Sequence, residues 1–253
     1  MRKINKIWYV RWFVIGISLF VSGCLFKSGV EGKVWFRYAL KFDEARNITM
    51  ANDAAKKGTA IENLADMDKL KQKFLRAKQP TETEIISVLR SPDRRFQKVG
   101  LVAMSLKPIE TEQLTEILLE FLQDKDFYYR ADALRSLNKF TTFPESKKAD
   151  LGKQLLEITK KEKETGILLG EFLLLAKFPD EKAALFLTEQ LMKEGKENFK
   201  FRYFAFRALK EMGDSFYDEA AEYVNKHSSP EIKKELLDRE KGWEKMNIST
   251  VKE

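Results

Sequence analysis

Cysteine and histidine are almost absent from this sequence, which has one of each among 253 residues. Zinc sites built from thiolates and imidazoles need several such ligands, so the composition excludes them. Nucleophilic catalysis needs a nucleophile beside a base, and we interpret His227, near a predicted helix end, as a helix C-terminal cation or a loop residue. We therefore expect no metal site, no cofactor and no catalytic residue.

Phosphate-cradling loops are also missing. The twelve glycines are scattered, and neither GxGxxG nor GxxxxGK(S/T) occurs. Acidic side chains are plentiful, but along predicted helices they alternate with lysine, as in residues 160–164, which is the spacing of solvated ion pairs. The sequence predicts a protein that is not an enzyme, and an enzyme that uses carboxylates alone is the remaining catalytic alternative.

Strand patterns and long apolar runs are both scarce. No run of alternating β-branched residues occurs, so we expect essentially no β-sheet. The most apolar stretch, residues 12–21, has ten residues, whereas spanning a bilayer takes about 20. Extending it toward Trp8 brings Arg11 inside. This disfavours a permanent transmembrane helix, and an uncleaved amino-terminal anchor is the alternative.

Negative charge is outnumbered, with 39 acidic against 46 basic side chains. The position of the excess matters more than its size. Residues 1–23 contain no acid and four of the basic residues, namely Arg2, Lys3, Lys6 and Arg11. Without this segment the charges of both signs are nearly balanced, which is typical of a solvated helical surface. The sequence therefore predicts no nucleic-acid partner.

The first 23 residues have the layout of an export signal, with a basic start, an apolar stretch and small residues before a cysteine. The segment Val21-Ser22-Gly23-Cys24 resembles the lipobox of bacterial lipoproteins. The resemblance implies diacylglyceryl transfer to the Cys24 sulfur, cleavage after Gly23, and acylation of the new amino terminus. A thiolate is nucleophilic enough near neutral pH to take the lipid as a thioether.

Lipidation also explains a lone thiol in an exported protein. Several acyl chains on Cys24 exceed the two signals that stable membrane anchoring takes, and residues 24–33 are predicted to form a lipidated tether. We expect the protein to be exported and lipid-anchored to a bacterial cell membrane, with inner and outer membrane both open. The alternative is an incidental cysteine after a plain secretory signal.

Residues 34–79 are predicted to form a helical N-terminal cap. One helix is expected over residues 34–45, which are rich in aromatic side chains, and another over residues 60–78, where apolar side chains fall on one stripe. Whether these helices form an extra repeat is left open.

From Pro80 onward, helix-start signals recur at a regular interval. Ser91-Pro92-Asp93 and Ser229-Pro230-Glu231 both predict a serine N-cap, a proline at the first helical position and an acid at the positive helix end. They lie 138 residues apart, which is four intervals of 34.5. Further starts are predicted at Thr81 with Glu84 as a capping box, Thr111, residues 144–146, Asp180 and Asp214.

Residues 126–137 and 198–209, which begin 72 residues apart, share a frame of a polar residue, Arg, Ala and Leu. Residues 93–104 follow it less fully, and residues 162–175 keep only its apolar face. The frame resembles that of HEAT repeats, particularly the shorter HEAT-like type. The resemblance implies stacked helix pairs in which Ala allows close approach, Leu fills the core, and Asp and Arg cap and bridge successive repeats. It carries no enzymatic activity with it.

These patterns together predict an all-α fold. We expect a right-handed α-solenoid of about five HEAT-like helix pairs over residues 80–240, preceded by the cleaved signal peptide and the short helical N-terminal region. Residues 241–253 are predicted to be a C-terminal tail. A tetratricopeptide array has nearly the same period, but its small and aromatic positions do not align with this sequence.

The second helix of each pair lines the concave surface of such a solenoid. The frame places Tyr129, Ala133 and Leu137 in the core. The residues turned outward in three of the repeats are Tyr128, Asp132 and Arg135; Arg95, Val99 and Val102; and Lys200, Phe204 and Arg207.

Aromatic and Arg side chains are enriched at interaction hot spots. We therefore predict a partner-binding surface formed by Arg95, Tyr128, Asp132, Arg135, Lys200, Phe204 and Arg207. The alternative is that the aromatic side chains pack against neighbouring helices. The sequence as a whole predicts a membrane-anchored lipoprotein that serves as a protein–protein interaction scaffold in the cell envelope, and a purely structural envelope protein is the alternative.

Overall fold

The computed structural model describes the backbone of residue 30, residues 32–54 and residues 60–250, and the side chains of residues 30, 32–47 and 65–242. The described residues are almost entirely helical, and none of them lies in a β-strand. The all-α prediction is therefore confirmed. The predicted signal peptide, with its cleavage site at Gly23 and the lipidation site Cys24, lies outside the described residues.

Twelve α-helices make up the described part of the chain. They are α1 (Val34–Ala54), α2 (Ala60–Arg76), α3 (Glu82–Leu89), α4 (Arg94–Leu106), α5 (Glu112–Leu122), α6 (Phe127–Lys139), α7 (Lys148–Lys161), α8 (Thr165–Leu175), α9 (Glu181–Leu191), α10 (Phe199–Met212), α11 (Asp214–His227) and α12 (Pro230–Thr250). Short 3-10 turns, Glu145–Lys147 and Lys196–Asn198, precede α7 and α10. The chain divides into two compact units at the junction of Lys107 and Pro108.

In the first unit, α1 packs on α2 and on α4, and α3 packs on α4. Two aromatic side chains near the start of α1, Trp35 and Phe36, are buried. The centre of the Phe36 ring lies 5.2 Å from that of Phe96 on α4. The compact unit thus includes α1 to α4.

The second unit consists of helix pairs. The pairs α5 and α6, α7 and α8, and α9 and α10 each pack together, and α11 packs on α10 and α12. Leucines at helical spacing are buried between the helices, as at Leu118, Leu155 and Leu187. Burying one such side chain contributes roughly 1.5–3 kcal/mol. Residues 241–250, predicted to begin a tail, continue α12.

Helix starts follow the predicted capping residues at three positions. Thr81 and Glu84 form the reciprocal capping box of α3. The Thr111 side chain accepts a hydrogen bond from a backbone N–H of α5, and Asp180 does the same for α9. Each such cap satisfies a backbone donor that the helix itself leaves without a partner.

Other helix starts differ from the prediction. Asp93, and not Ser91, is the N-cap of α4, because its carboxylate accepts a hydrogen bond of 2.9 Å from the backbone N–H of Arg95. The Ser91 hydroxyl oxygen instead accepts from the backbone N–H of Asp93. Residues 144–146 cap no helix by a side chain, since a 3-10 turn leads into α7. Asp214 is the first helical residue of α11 and follows Gly213, whose φ of 124° suits glycine.

Candidate interaction surface

The second helices of successive pairs form a row in the second unit. Helix α6 packs on α8, and α8 packs on α10. We call α6, α8 and α10 the second-helix row. The first helices make a corresponding contact, since α9 packs on α11. The predicted binding residues at 128–135 and 200–207 lie on α6 and α10, which both pack on α8.

The row can be aligned on its N-cap residues, Asp126, Glu164 and Asn198. The fourth residue after the cap is Arg130 in α6, Leu168 in α8 and Arg202 in α10; the seventh is Ala133, Glu171 and Ala205. Ala133 and Ala205 are fully buried, as the frame predicted. Helix α8 therefore lacks the arginine and carries a carboxylate where its neighbours carry alanine.

Arg130 connects its own helix to the following pair. Its Nε donates a hydrogen bond of 2.8 Å to Oε2 of Glu162, and its Nη1 donates one of 2.9 Å to the carbonyl oxygen of Asp124. Both side chains of the ion pair are largely buried. Glu162 also accepts from the backbone N–H groups of Lys163 and Glu164. The predicted bridging role of the frame arginine is confirmed in this pair.

Arg202 makes the same connection from α10. Its Nη2 lies 2.7 Å from Oε2 of Glu235, and its Nη1 donates to the carbonyl oxygens of Lys193 and Gly195, at 2.6 and 2.8 Å. Glu235 is 33 residues further along, as Glu162 is 32 residues beyond Arg130. Arg239 forms a second ion pair with Glu235. Two arginines at equivalent positions thus hold the preceding loop and the following helix pair together.

Glu171 is the buried carboxylate of α8. Its side chain is 0% exposed, and neither oxygen has a hydrogen-bond partner among the described residues. The neighbouring Thr159 hydroxyl donates to the carbonyl oxygen of Leu155. Burial and the charge of Glu162 raise the pKa of Glu171 to about 8, which Thr159 and Arg130 oppose only in part. A carboxyl group in this position is protonated at neutral pH.

Most of the predicted binding residues on the row reach solvent. Tyr128 is 44% exposed, and the Arg135 side chain is also exposed. On α10, Lys200 is exposed, and Phe204 and Arg207 are half-buried. Cation and ring surfaces of this kind can contact apolar side chains, rings and carboxylates of a peptide. Whether they bind a partner stays a prediction.

Asp132 does not reach solvent, and its predicted outward position is wrong. The residue is 1% exposed, and its carboxylate pairs with the guanidinium of Arg135, one turn further along α6. A polar residue at this position was expected to be solvated, whereas the ion pair allows it to be buried. Asp132 thus acts on the surface only through Arg135.

The residues predicted on α4, in the first unit, are mostly buried. Arg95 is exposed and pairs with Asp93. Val99 and Val102 are buried, so their predicted outward position is wrong. All residues of α4 from Lys98 to Leu106 are buried, and both α1 and α3 pack on this helix. The repeat frame predicts no contact of this helix with α1, which lies outside the frame.

Three exposed aromatic residues beside the predicted ones were missed. Phe127 and Phe199 are the first helical residues of α6 and α10, and both are exposed. Tyr203 is exposed as well, and the Arg239 guanidinium lies 4.6 Å from the Phe199 ring centre and 5.1 Å from that of Tyr203. Alignment of the two helix starts, each with an aromatic residue directly after the cap, could have found this pair.

Comparisons with known proteins add no relative. No protein-family model matches this chain, and neither does any curated protein. None of the described helices has the length and apolar character needed to cross a bilayer. Within the described ranges, His, Cys, Asp and Glu side chains form no group of three or more that could hold a metal ion. The fold and the row of second helices define an all-α protein with a candidate interaction surface.

Proposed function

We propose that this protein is an exported lipoprotein, anchored in a cell-envelope membrane through lipid on Cys24, that holds a protein or peptide partner on the second-helix row. The leader and the lipobox-like segment ending in Cys24 support the anchor. The observation that carries the binding role is the exposure of Tyr128 together with Arg135 on α6, and of Lys200 beside half-exposed Phe204 and Arg207 on α10.

The architecture that we propose for the second unit is a right-handed α-solenoid of HEAT-like pairs. Its support is the successive packing of α6, α8 and α10 and the equivalent bridges made by Arg130 and Arg202. In such stacks each pair contacts its neighbours alone, and the second helices provide an extended binding surface. The count of about five pairs stays a prediction from the sequence.

Partner binding on this row would use a small number of anchors. Aromatic side chains bury much surface for few rotatable bonds, and tyrosine and arginine are enriched among the residues that supply most of the energy at measured interfaces. Arg135 is held by Asp132, and Arg207 by Glu211 at 2.8 Å. These ion pairs orient the two cations before a partner arrives, which lowers the entropy lost on binding.

Photo-crosslinking in cells tests the proposal. Benzoylphenylalanine placed at position 128 or 204 should give the same protein adduct after irradiation, and the exposed residue Leu237 on α12 is the control position that should not. The absence of a common adduct under several growth conditions would favour the purely structural alternative.

A variant removes the anchors without disturbing the core. Tyr128→Ala/Phe204→Ala/Arg207→Ala keeps Arg135, because loss of that side chain would leave the buried Asp132 carboxylate without its cation. The triple variant should lose the adduct formed from a probe at position 200, while its melting temperature stays close to that of the wild type. Unfolding of the variant would show that these side chains belong to the core.

A further inference from the structure

A groove runs between the first helices α9 and α11, which pack on each other in the second unit. It encloses about 360 Å³ and is formed by Glu181, Ala184, Leu185 and Thr188 on one side and by Phe216, Glu219, Ala220 and Tyr223 on the other. We call these eight residues the α9–α11 groove. They are separate from the residues of the second-helix row.

Both sides of the groove have the same spacing. On α9 and on α11 the lining residues follow one another at i, i+3, i+4 and i+7, so each helix contributes one straight stripe. The two stripes line one groove between helices that pack on each other. This is the shape into which an amphipathic helix fits with its own i, i+3, i+4 and i+7 side chains.

The walls of the groove are apolar and its floor is small. Leu185 is 58% exposed and Tyr223 is 47% exposed, whereas the alanines Ala184 and Ala220 between them are buried. The Thr188 hydroxyl donates to the carbonyl oxygen of Ala184, so this donor needs no hydrogen bond to a ligand. Large exposed apolar side chains on both sides of small buried alanines leave space into which the side chains of a partner can insert.

The charge of the groove is negative. Glu181 and Glu219 are both exposed, and neither forms an ion pair with any residue that the structure describes. No basic side chain lines the groove. Glu222, on the same helix as Glu219, is by contrast paired with Lys226. Two unpaired carboxylates beside apolar walls favour an occupant that brings its own positive charge.

We propose that the α9–α11 groove binds an amphipathic helix of a partner protein that presents an apolar stripe flanked by lysine or arginine. The apolar stripe would cover Leu185, Phe216 and Tyr223, and the flanking cations would pair with Glu181 and Glu219. An anionic membrane surface fits the groove poorly, because its headgroups would meet these carboxylates. The groove would act independently of the second-helix row, so loss of partner capture there leaves this binding intact.

Designed peptides test the proposal on the full chain in nonionic detergent micelles. The probe is a fluorescent alanine-based helix of about 18 residues with leucine at i, i+3, i+4 and i+7 and lysine at flanking positions. Its twin carries glutamate in place of lysine, and empty micelles give the background. The basic peptide should bind at least about ten-fold more tightly than the acidic one, measured by fluorescence anisotropy.

Charge reversal locates the binding. Glu181→Lys/Glu219→Lys should invert the preference so that the acidic peptide binds more tightly. The matched control Glu189→Lys/Asp218→Lys changes the same charge on exposed residues of the same two helices that lie outside the groove lining. The control should keep the preference of the wild type. Equal binding of both peptides, or inversion in the control, overturns the proposal.

Removal of the apolar walls completes the test. Leu185→Ser/Tyr223→Ser should abolish peptide binding, whereas Leu237→Ser, at an exposed leucine of α12, should not. Circular dichroism melts confirm that the variants fold. Self-association of the wild type that Leu185→Ser/Tyr223→Ser abolishes would assign the groove to a second copy of this chain. Flotation with phosphatidylglycerol vesicles that depends on the same two residues would assign it to a membrane, and either result overturns the proposal.

Discussion

Helices α6 and α10 resemble each other more than either resembles α8, which lies between them. Both carry a buried alanine and an arginine that reaches the following pair, Arg130 to Glu162 and Arg202 to Glu235. Helix α8 has Leu168 in place of the arginine and the buried carboxyl group of Glu171 in place of the alanine. Helix α8 therefore packs between its two neighbours without the arginine bridge that each of them makes.

The two bridging arginines also differ in the charged groups around them. Arg130 is the cation that faces both Glu162, which it binds directly, and Glu171, whose pKa it lowers in part. Arg202 pairs with Glu235, and Glu235 has Arg239 as a second cation. The two bridges are therefore similar in geometry and different in their surroundings.

Removal of the bridging arginines should have the largest effect. Arg130→Ala leaves Glu162 without its ion-pair partner, and we expect a loss of about 3–5 kcal/mol in the free energy of unfolding. Arg202→Ala should cost less, because Arg239 still neutralises Glu235. Urea unfolding followed by circular dichroism measures both.

Replacing Glu171 by glutamine should change the stability contribution of Arg130 and leave that of Arg202 unchanged. In the Glu171→Gln background at pH 9, above the pKa of about 8 of Glu171, the cost of Arg130→Ala should fall by about 1 kcal/mol, since one of the two facing carboxylates is gone. The cost of Arg202→Ala should not change. An equal cost of Arg130→Ala with and without Glu171 would show that the two groups are not coupled.

Glu171 should make stability depend on pH. Its pKa is raised from an ordinary value of 4.5 to about 8 by burial, so between these values the folded state holds a proton that the unfolded chain has released. The free energy of unfolding therefore falls as pH rises through this window, by about 1.4 kcal/mol per pH unit at most, and levels above it.

Glu171→Gln should remove this contribution. Relative to the wild type, the variant should gain stability steadily from pH 5 to pH 8, by a few kcal/mol in all. The groups that face Glu171 are Glu162, Arg130 and Thr159, and all three stay unchanged in the variant. Parallel stability curves of the two proteins would contradict the assignment of a buried, protonated carboxyl group.

The two glycines of α8 should respond oppositely to alanine. A Cβ at Gly170 would lie 2.6 Å from Cδ2 of Leu134, so Gly170→Ala should destabilise the protein by about 1 kcal/mol. A Cβ at Gly166 meets nothing within 4 Å, and Gly166→Ala should stabilise by about 0.5–1 kcal/mol through helix propensity. Thermal melts of the two variants measure these changes in stability. Stabilisation by both substitutions would show that α6 and α8 leave room for a methyl group at position 170.

The helix caps should give the smallest difference. Asp126 accepts from the backbone N–H of Tyr128, so Asp126→Ala should cost about 1 kcal/mol. Asn198 makes no such bond, since its side-chain amide donates to the carbonyl oxygen of Glu194. Asn198→Ala should therefore cost only a few tenths of a kcal/mol, by the same unfolding assay. A full-sized cost at Asn198 would mean that its side chain does cap α10.

Several helix starts can be predicted from the sequence because their signals are local. Capping residues such as Thr81, Thr111 and Asp180 satisfy donors within one turn, so the sequence near them is enough to place a helix start. The frame arginines also act as predicted, because their partners lie one repeat away at the spacing of the pattern.

Other features depend on contacts that a repeat frame does not contain. Val99 and Val102 are buried on a helix against which α1 packs, and α1 stands outside the frame. Asp132 is buried because Arg135 pairs with it, and a charged pair three residues apart is equally compatible with a solvated surface. The repeat frame does not predict the α9–α11 groove, because the groove residues lie on first helices and the frame describes second helices.

The most direct test of the central claim, a binding surface carried outside the cytoplasm on lipid, is the mass of the amino-terminal peptide of the protein purified from bacterial envelopes. We predict a peptide that begins at Cys24 and carries diacylglycerol and an N-acyl chain, and a protein that enters the detergent phase of Triton X-114. The Cys24→Ser variant should do neither. A product that begins at Met1, or that stays in the aqueous phase, would contradict both the anchor and the proposed role.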